Sequence, residues 1–484
     1  MSLILSIDIG TTNIKTFLVN QEGEVIYRDL QQFSTIYPRE GWVEQSPVEI
    51  YSIIKDLCLK AIEKYGKDII GIGITNQRAT SVLWRKDGEP IYNAITWMDT
   101  RGNIVREKLR KELGDLFNDI EIFLNPNASS MYIRWVLDNV AYSREEAEKG
   151  NLLFGTLNTY VIWRLTKGEI FATDPSNAIA TGLFEPFTDN WFEDLFEILD
   201  IPINIMPTIK DNIDEYGEAK DIPGNIAIYS SIGDQQAALF GEACFNMGDL
   251  KVTHGTGSFI DVNIGGEFTM PTKGLLPLTA WKYRGIKSYM MEGYIYNTGG
   301  LVDWMIQNNF LKDYEELNNI EMIDDKDLYL VPALTGLGAP YWDSQARGLL
   351  IGLSKDVNRE DIIRAGLEGI AFRVLDIINL IREELSIEIS LMRVDGGLAR
   401  SDYLQQFMAD ITGIDVERPA ELETSGLGAA YMAGLGAGLY SDIKEIIEVR
   451  KVDKVFKPSR KRDWASKKYE KWREAVNKAL GWSG

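Results

Sequence analysis

Residues 4–12 read Ile4-Leu5-Ser6-Ile7-Asp8-Ile9-Gly10-Thr11-Thr12, and this run decides the fold. A β-branched, apolar strand carries a carboxylate near its end and turns at once on a glycine and two threonines. Aspartate is disfavoured in such a strand, because burying its charge is costly unless something binds it. Gly10 lets the backbone approach a ligand, and the Thr11 and Thr12 hydroxyls with their N–H groups form an anion cradle. Asp8 would then face a Mg²⁺ through water, with Lys15 adding a positive charge close by. The alternative is a plain hairpin turn, since 14–19 reads as a second strand and 25–27 as a third in a β-meander.

Outward from this run, 47–65 has helical periodicity, with Ser46 as N-cap and Ile50, Ile53, Ile54, Leu57 and Ala61 on one face. A buried strand follows at 69–74. Past the middle of the chain the opening pattern returns: a strand at 250–253, the turn His254-Gly255-Thr256-Gly257-Ser258, and a strand at 259–264. Two strand–Gly/Thr turn–strand units predict two similar α/β domains, 1–243 and 244–484, with a hinge near 235–250. The second turn is a cradle of the same type as the first. Two such cradles suit a nucleotide whose phosphates lie between domains, and no GxxxxGK[ST] run is present. The C-terminal stretch 463–480 predicts a helix packing through Trp464, Trp472, Val476 and Leu480, after a basic connector at 457–462.

Composition narrows the function. The chain has 484 residues, 45% hydrophobic and 25% charged, and its 51 basic against 72 acidic residues give a net charge of −21. That surface repels nucleic acid and anionic lipid, so any phosphate must be held locally. Cys58 and Cys244 are not in a CxxC spacing and read as reduced thiols. His254 is the single histidine, which excludes His-based zinc sites and most histidine general bases. Acid–base work falls to carboxylates. The start of the chain enters a strand with no signal-peptide pattern, and no run reaches the ~18 apolar residues of a membrane span. A cytoplasmic protein without a membrane partner is expected.

Gly233-Asp234-Gln235-Gln236 lies between an apolar strand at 226–232 and an apolar helix at 237–240. A carboxylate at that junction can accept a proton from a substrate hydroxyl, as phosphoryl transfer needs; it can equally cap the helix. Asp395-Gly396-Gly397-Leu398-Ala399-Arg400-Ser401 follows a strand at 391–394 and precedes a helix at 402–411. The glycine pair would let an adenine or ribose lie against the backbone, or serve a turn with positive φ. Gly434-Leu435-Gly436-Ala437-Gly438 superficially resembles a dinucleotide loop, but its Ala/Gly-rich helical setting points to close helix packing.

These motifs resemble the FGGY carbohydrate kinases, and within them the glycerol kinase branch. The resemblance spans nearly the whole chain, through Asp8 to Thr12, Gly73 to Arg78, Tyr92 to Trp97, Gly233 to Gly241, Gly255 to Gly257, Val331 to Asp343 and Arg393 to Gly397. It implies two actin/hexokinase-like (ribonuclease H-like) α/β domains with an ATP and substrate cleft between them. It also implies an ATP-dependent phosphotransferase acting on a terminal hydroxyl of a small polyol or open-chain sugar. Asp234 would be the general base and Asp8 would help position Mg²⁺. Thr11, Thr12, Lys15, Gly255, Thr256 and Gly257 would hold the phosphates, and Gly299, Gly397 and Ser401 the adenosine. Arg78, Trp97, Asp234, Gln235 and Phe259 would hold the polyol. Self-association as a dimer or tetramer is implied by resemblance alone.

Two pocket positions depart from the glycerol pattern: Ala79 stands where a carboxylate is usual and Asn127 where a tyrosine is usual, while Tyr132 replaces a nearby lysine. An ATP-switched binding protein of the actin or Hsp70 kind is the alternative from another class, although such a switch needs no polyol pocket. A degenerate kinase acting as a sugar sensor is a third, opposed by intact Asp8 and Asp234. Each lost hydroxyl partner costs about 1–3 kcal/mol where a group is left unpaired. The sequence therefore predicts weakened glycerol binding and room for a tetritol or a pentulose such as xylulose or ribulose. The KM for glycerol beside those of the longer acceptors checks this expectation.

Overall fold

The computed structural model describes residues 2–321 and 326–483. They form two compact units. The first comprises 1–241, 278–288 and 425–449; the second comprises 242–277, 289–424 and 450–484.

In the first unit, β1 (Leu3–Ile9) is buried along its whole length, as its apolar composition requires. Its Ser6 is accommodated by donating to the Gly426 carbonyl at 2.7 Å. The sheet continues with β2 (Asn13–Val19), β3 (Val25–Gln32), β4 (Ile69–Asn76) and β5 (Ile226–Gly233). Strand order is Glu218–Ala219, β5, β4, β1, β2, β3. β3 pairs β2 and β2 pairs β1 antiparallel, β1 pairs β4 and β4 pairs β5 parallel, and β5 pairs Glu218–Ala219 antiparallel. The helix Pro47–Tyr65 begins as its sequence predicts. Ser46 accepts from the Glu49 N–H at 3.2 Å, and Ile50, Ile53, Ile54, Leu57 and Ala61 are all buried.

The second unit repeats the scheme. Its sheet contains β6 (Leu250–His254), β7 (Ser258–Gly265), β8 (Leu276–Tyr283), β9 (Ile286–Ile295), β10 (Leu391–Gly396), β11 (Asp415–Pro419) and β12 (Val452–Phe456). From β9 the order runs β7, β6, β10, β11, β12. Its pairings are antiparallel, antiparallel, parallel, parallel and antiparallel, the same series as in the first unit. The strand–turn–strand doubling seen in the sequence is thus a doubling of whole sheets. The far part of the β8–β9 hairpin, 278–288, is counted with the first unit.

The glycine run after residue 424 is helical, over Thr424–Gly436, and it packs rather than forming a ligand loop. A Cβ on Gly428 would stand 1.8 Å from the Ala237 carbonyl oxygen, and the Ala429 carbonyl accepts from Ser230 Oγ at 2.9 Å. A backbone this close leaves no volume for a methyl group. Gly428→Ala is therefore expected to cost about 3 kcal/mol through overpacking, measured as a lowered urea midpoint with an unchanged m-value.

Candidate active site

β1, β4 and β5 run parallel, with Ile9 and Gly233 both in register with Asn76. Their carboxyl ends share one edge, where open α/β sheets bind ligands. Gly10-Thr11, Gln77-Arg78 and Asp234 emerge there, each directly after its strand. The first cradle is braced by side-chain amides. Gln45 Nε2 donates to the Thr11 carbonyl at 2.8 Å, and Gln77 Nε2 to the Gly10 carbonyl at 3.2 Å and Gln45 Oε1 at 2.8 Å. Asp8, 5% exposed, accepts from Ser425 Oγ at 2.8 Å and lies opposite Lys15 in the β1–β2 ladder. Thr12 is exposed.

Asp234 opens the helix Asp234–Gly241, which starts earlier than its apolar pattern predicts. One carboxylate oxygen accepts from the Gln235 N–H at 2.8 Å and stands 3.4 Å from Arg78 Nε. The side chain is 27% exposed, so the carboxylate can be reached by a solute. Gln235 itself is buried.

Trp97 reaches the cradle from the other side, its indole N–H 3.4 Å from Thr11 Oγ1. The turn that carries it is tightly held. Asn127 Nδ2 donates to the Trp97 carbonyl at 2.8 Å and Tyr132 OH to the Asp99 carbonyl at 3.0 Å. Asp99 and Glu44 both pair with the fully buried Arg101, whose guanidinium lies 4.0 Å from the Trp42 ring centroid and 4.5 Å from that of Trp135. Ala79 is buried with φ +58°, and its carbonyl accepts from Ser129 Oγ at 3.2 Å. Thus Thr11, Trp97 and Asn127 are joined by direct contacts, while Arg78 and Asp234 form a separate pair in the same unit. Asn127, read from the sequence as a pocket residue, spends its amide N–H on the chain itself.

In the second unit, Gly255 N donates to the Gly257 carbonyl at 2.9 Å, while Gly299 N and Gly300 N donate to the Gly255 and Thr256 carbonyls. This ties the turn to the first residues of the helix Gly299–Gln307. A Cβ on Gly257 would lie 2.5 Å from the Ile295 carbonyl oxygen, so the tie requires glycine there. Gly255 and Thr256 are exposed. Parallel pairing of His254 with Gly396 brings the next glycine, exposed Gly397, to the same end of the sheet. A Cβ built on Gly397 meets nothing within 4 Å. The exposed backbone of Gly255 and Thr256 with the open face at Gly397 fits a nucleotide's phosphates and its adenosine. Ser401 is buried; its Oγ accepts from the Leu404 N–H at 3.4 Å as the N-cap of Asp402–Thr412. Phe259 packs on Tyr294 with ring centroids 4.5 Å apart.

Two features escaped the sequence reading. Ser425, on Asp8, is one. The other is Asp174, fully buried behind the strand ends, whose carboxylate accepts from the Ser176 and Asn177 N–H groups, Ser176 Oγ and Ser231 Oγ, and the amides of Asn158, Asn177 and Asn212. Burial raises its pKa and the hydrogen bonds from Ser176, Asn177 and Ser231 oppose that rise. The Asp174-Pro175 pair before Ser176-Asn177 is a visible helix-start signal, since aspartate caps and proline suits the first turn. Its burial is not visible.

The doubled α/β architecture carries glycine- and threonine-bearing turns at the strand ends of each unit, an arrangement suited to binding phosphate groups. Residues 3–241 match the N-terminal domain of the FGGY family of carbohydrate kinases, and residues 250–437 match its C-terminal domain. The chain belongs to the FGGY family of carbohydrate kinases. It is 41% identical to glycerol kinase 2 of Thermotoga maritima, covering 100% of this chain and 99% of that one. It is 40% identical to glycerol kinase of Alkaliphilus metalliredigens, with 99% and 98% covered. The structure of Plasmodium falciparum glycerol kinase with ADP superposes with a TM-score of 0.92 at 32% identity, covering 99% of this chain and 98% of that one. A xylulose kinase from Lactobacillus acidophilus shares the fold, with a TM-score of 0.85 at 22% identity over 99% and 98% of the two chains.

The sole histidine supports the second cradle. Its Nδ1 is 2.8 Å from Ser258 Oγ, which donates to Thr298 Oγ1 at 3.0 Å, and burial lowers its pKa to about 4. An unfolded chain protonates this ring below its ordinary value of 6.5, whereas the folded chain resists until about 4. The stability held above pH 6.5 is therefore expected to fall across that window, by about 3 kcal/mol in total. Urea midpoints of the protein and of His254→Gln, measured from pH 7 to 4, should diverge by this slope.

Proposed function

We propose that this chain transfers the γ-phosphoryl group of ATP to a terminal hydroxyl of a small polyol, glycerol first, with Asp234 as general base. The observation that carries this reading is the register of β1, β4 and β5. It delivers a phosphate-type cradle, an arginine and a reachable carboxylate to one edge of one sheet. Relatedness to glycerol kinases over the full length of the chain supports glycerol as acceptor.

In the proposed reaction the acceptor oxygen attacks the γ-phosphorus, the bond to the β–γ bridging oxygen breaks, and the hydroxyl proton passes to Asp234. Arg78 and Gln235 would bond acceptor hydroxyls, while Trp97 and Phe259 would cover its carbon edge. Thr11, Thr12, Lys15, Gly255, Thr256 and Gly257 are assigned to the phosphates, and Gly299 and Gly397 to the adenosine. We assign 1–243 to the acceptor and first cradle, and 244–484 to the nucleotide. Asp8 offers a single carboxylate, already oriented by Ser425, which suits Mg²⁺ with its preference for phosphate and water oxygens. When bound, Mg²⁺ would neutralise charge on the transferred group.

A longer acceptor is the second reading, favoured by two observations. Ala79 presents no polar side chain, and the Asn127 amide is engaged with the Trp97 carbonyl. Coupled ADP release with glycerol, erythritol, xylulose, ribulose and gluconate decides between them. The highest kcat/KM on glycerol supports the first reading, on a tetritol or pentulose the second, and turnover with none removes both. Asp234→Asn is expected to lower kcat about a hundred- to ten-thousandfold; near-normal turnover would remove Asp234 as base.

A further inference from the structure

Asp174 lies outside the set of residues assigned to ligands, yet its network ends on Gly233 and Gln77, the residues directly before Asp234 and Arg78. One arm runs through Ser176. Its Oγ donates to Asp174 Oδ1 at 2.5 Å and accepts from the Gly233 N–H at 2.9 Å, one residue before Asp234. The other runs through Asn177. Its Nδ2 donates to Asp174 Oδ2 at 2.8 Å, while its Oδ1 accepts from Asn76 Nδ2 at 2.9 Å. Asn76 Nδ2 in turn bonds the carbonyl of Gln77 at 2.8 Å, the residue before Arg78. Further donors tie the carboxylate to the strand itself, through Ser231 Oγ at 2.8 Å and Asn212, whose Nδ2 also bonds the Ser231 carbonyl at 2.9 Å.

We propose that Asp174 and Ser176 are positioning residues for phosphoryl transfer, fixing the N–H of Gly233, one residue before Asp234, and the peptide that enters Arg78, so that base and arginine keep their relative placement. Seven donors converge on one carboxylate, which makes it a rigid node, and every group on it is buried. None of those partners carries a charge, so the carboxylate is held by hydrogen bonds alone. A carboxylate doing only the work of a helix cap needs two of these donors, the N–H groups of Ser176 and Asn177. Of the remaining side-chain donors, Ser231 lies on the strand that leads to Asp234, and Ser176 and Asn177 also bond the Gly233 N–H and the Asn76 amide at the ends of the two strands. Small displacements of a positioned base are costly in rate even where substrate binding persists.

This inference rests on the reading of Asp234 as base, and the test separates the two. Ser176→Ala removes the bridge to Gly233 while leaving the cap N–H groups; Ser176→Thr restores a hydroxyl. Steady-state kinetics, the pH profile of kcat between 5 and 9 and thermal melting are measured for both, beside Asp234→Ala and Asp174→Asn. For Ser176→Ala, kcat is expected to fall about tenfold or more, with the KM for ATP within about twofold and the acidic limb of the profile displaced. Ser176→Thr should recover most of the rate. Wild-type kcat and pH profile in Ser176→Ala, with Asp234→Ala inactive, would overturn the positioning role alone. A rate loss that only tracks loss of folded protein, with kcat per folded molecule and pH profile unchanged, would overturn it equally. Full activity in Asp234→Ala would instead remove the base on which it rests. Asp174→Asn, which sets a donor among donors, can fail to fold; the Ser176 pair carries the test without it.

Discussion

Parallel strands leave their terminal peptides at a common edge, and the first unit uses that edge three times over. The register that sets Ile9 and Gly233 against Asn76 determines where Gly10, Arg78 and Asp234 emerge. A slip of one residue in any of these strands would turn alternate side chains to the opposite face and take the site apart. The buried carboxylate of Asp174 stands behind the edge and is bonded to the ends of two of the strands, directly through Ser231 and by way of Asn177 to Asn76. Removing that charge from water costs several kcal/mol unless hydrogen bonds replace hydration. Its donors supply the replacement, and the same bonds pin the strand ends.

A second buried charge governs the neighbouring turn. Arg101 is withdrawn from solvent among aromatic rings and two carboxylates, and Asp99 also accepts from the Val43 N–H at 2.6 Å. Ion pairs of this kind contribute little net stability but fix geometry. What they fix here is the turn from Trp97 to Arg101, with Asn127 and Tyr132 holding its carbonyls. Asn127 and Tyr132, which the sequence shows only as departures from a pattern, thus support the backbone of this turn.

Much of this was legible in the sequence, because it is written in local pattern. The Asp8 to Thr12 run, its echo at Gly255 to Gly257, the helix capped by Ser46 and the packing of the glycine-rich helix each follow from a few adjacent residues. The paired strand orders then emerge as one architecture used twice. What was not legible depends on residues far apart in the chain. Thr173 to Asn177 is a polar run that, read locally, belongs on a surface, and only the fold closes Asn158, Asn212 and Ser231 around it. Ser425 meets Asp8 across more than four hundred positions. Asn127 reads as a vacated hydroxyl contact until its amide is found on the Trp97 carbonyl. Periodicity likewise gave no sign that 278–288 and 425–449 return to the first unit.

That return has a consequence for how the protein is made. The helix Thr424–Gly436 covers Phe17, Ala237 and the Ser6 and Ser230 hydroxyls, all of which leave the ribosome long before it does. About two hundred residues separate the end of the first long segment from the completion of its unit. At ribosomal speeds this is a wait of roughly 10–40 s, during which an apolar sheet face lacks its cover. The nascent chain therefore has a defined interval of exposure, in which holding chaperones have a surface to bind. Synthesis arrested before residue 425 would leave a first unit with the cradle and Asp234 but without the segment that seats Asp8.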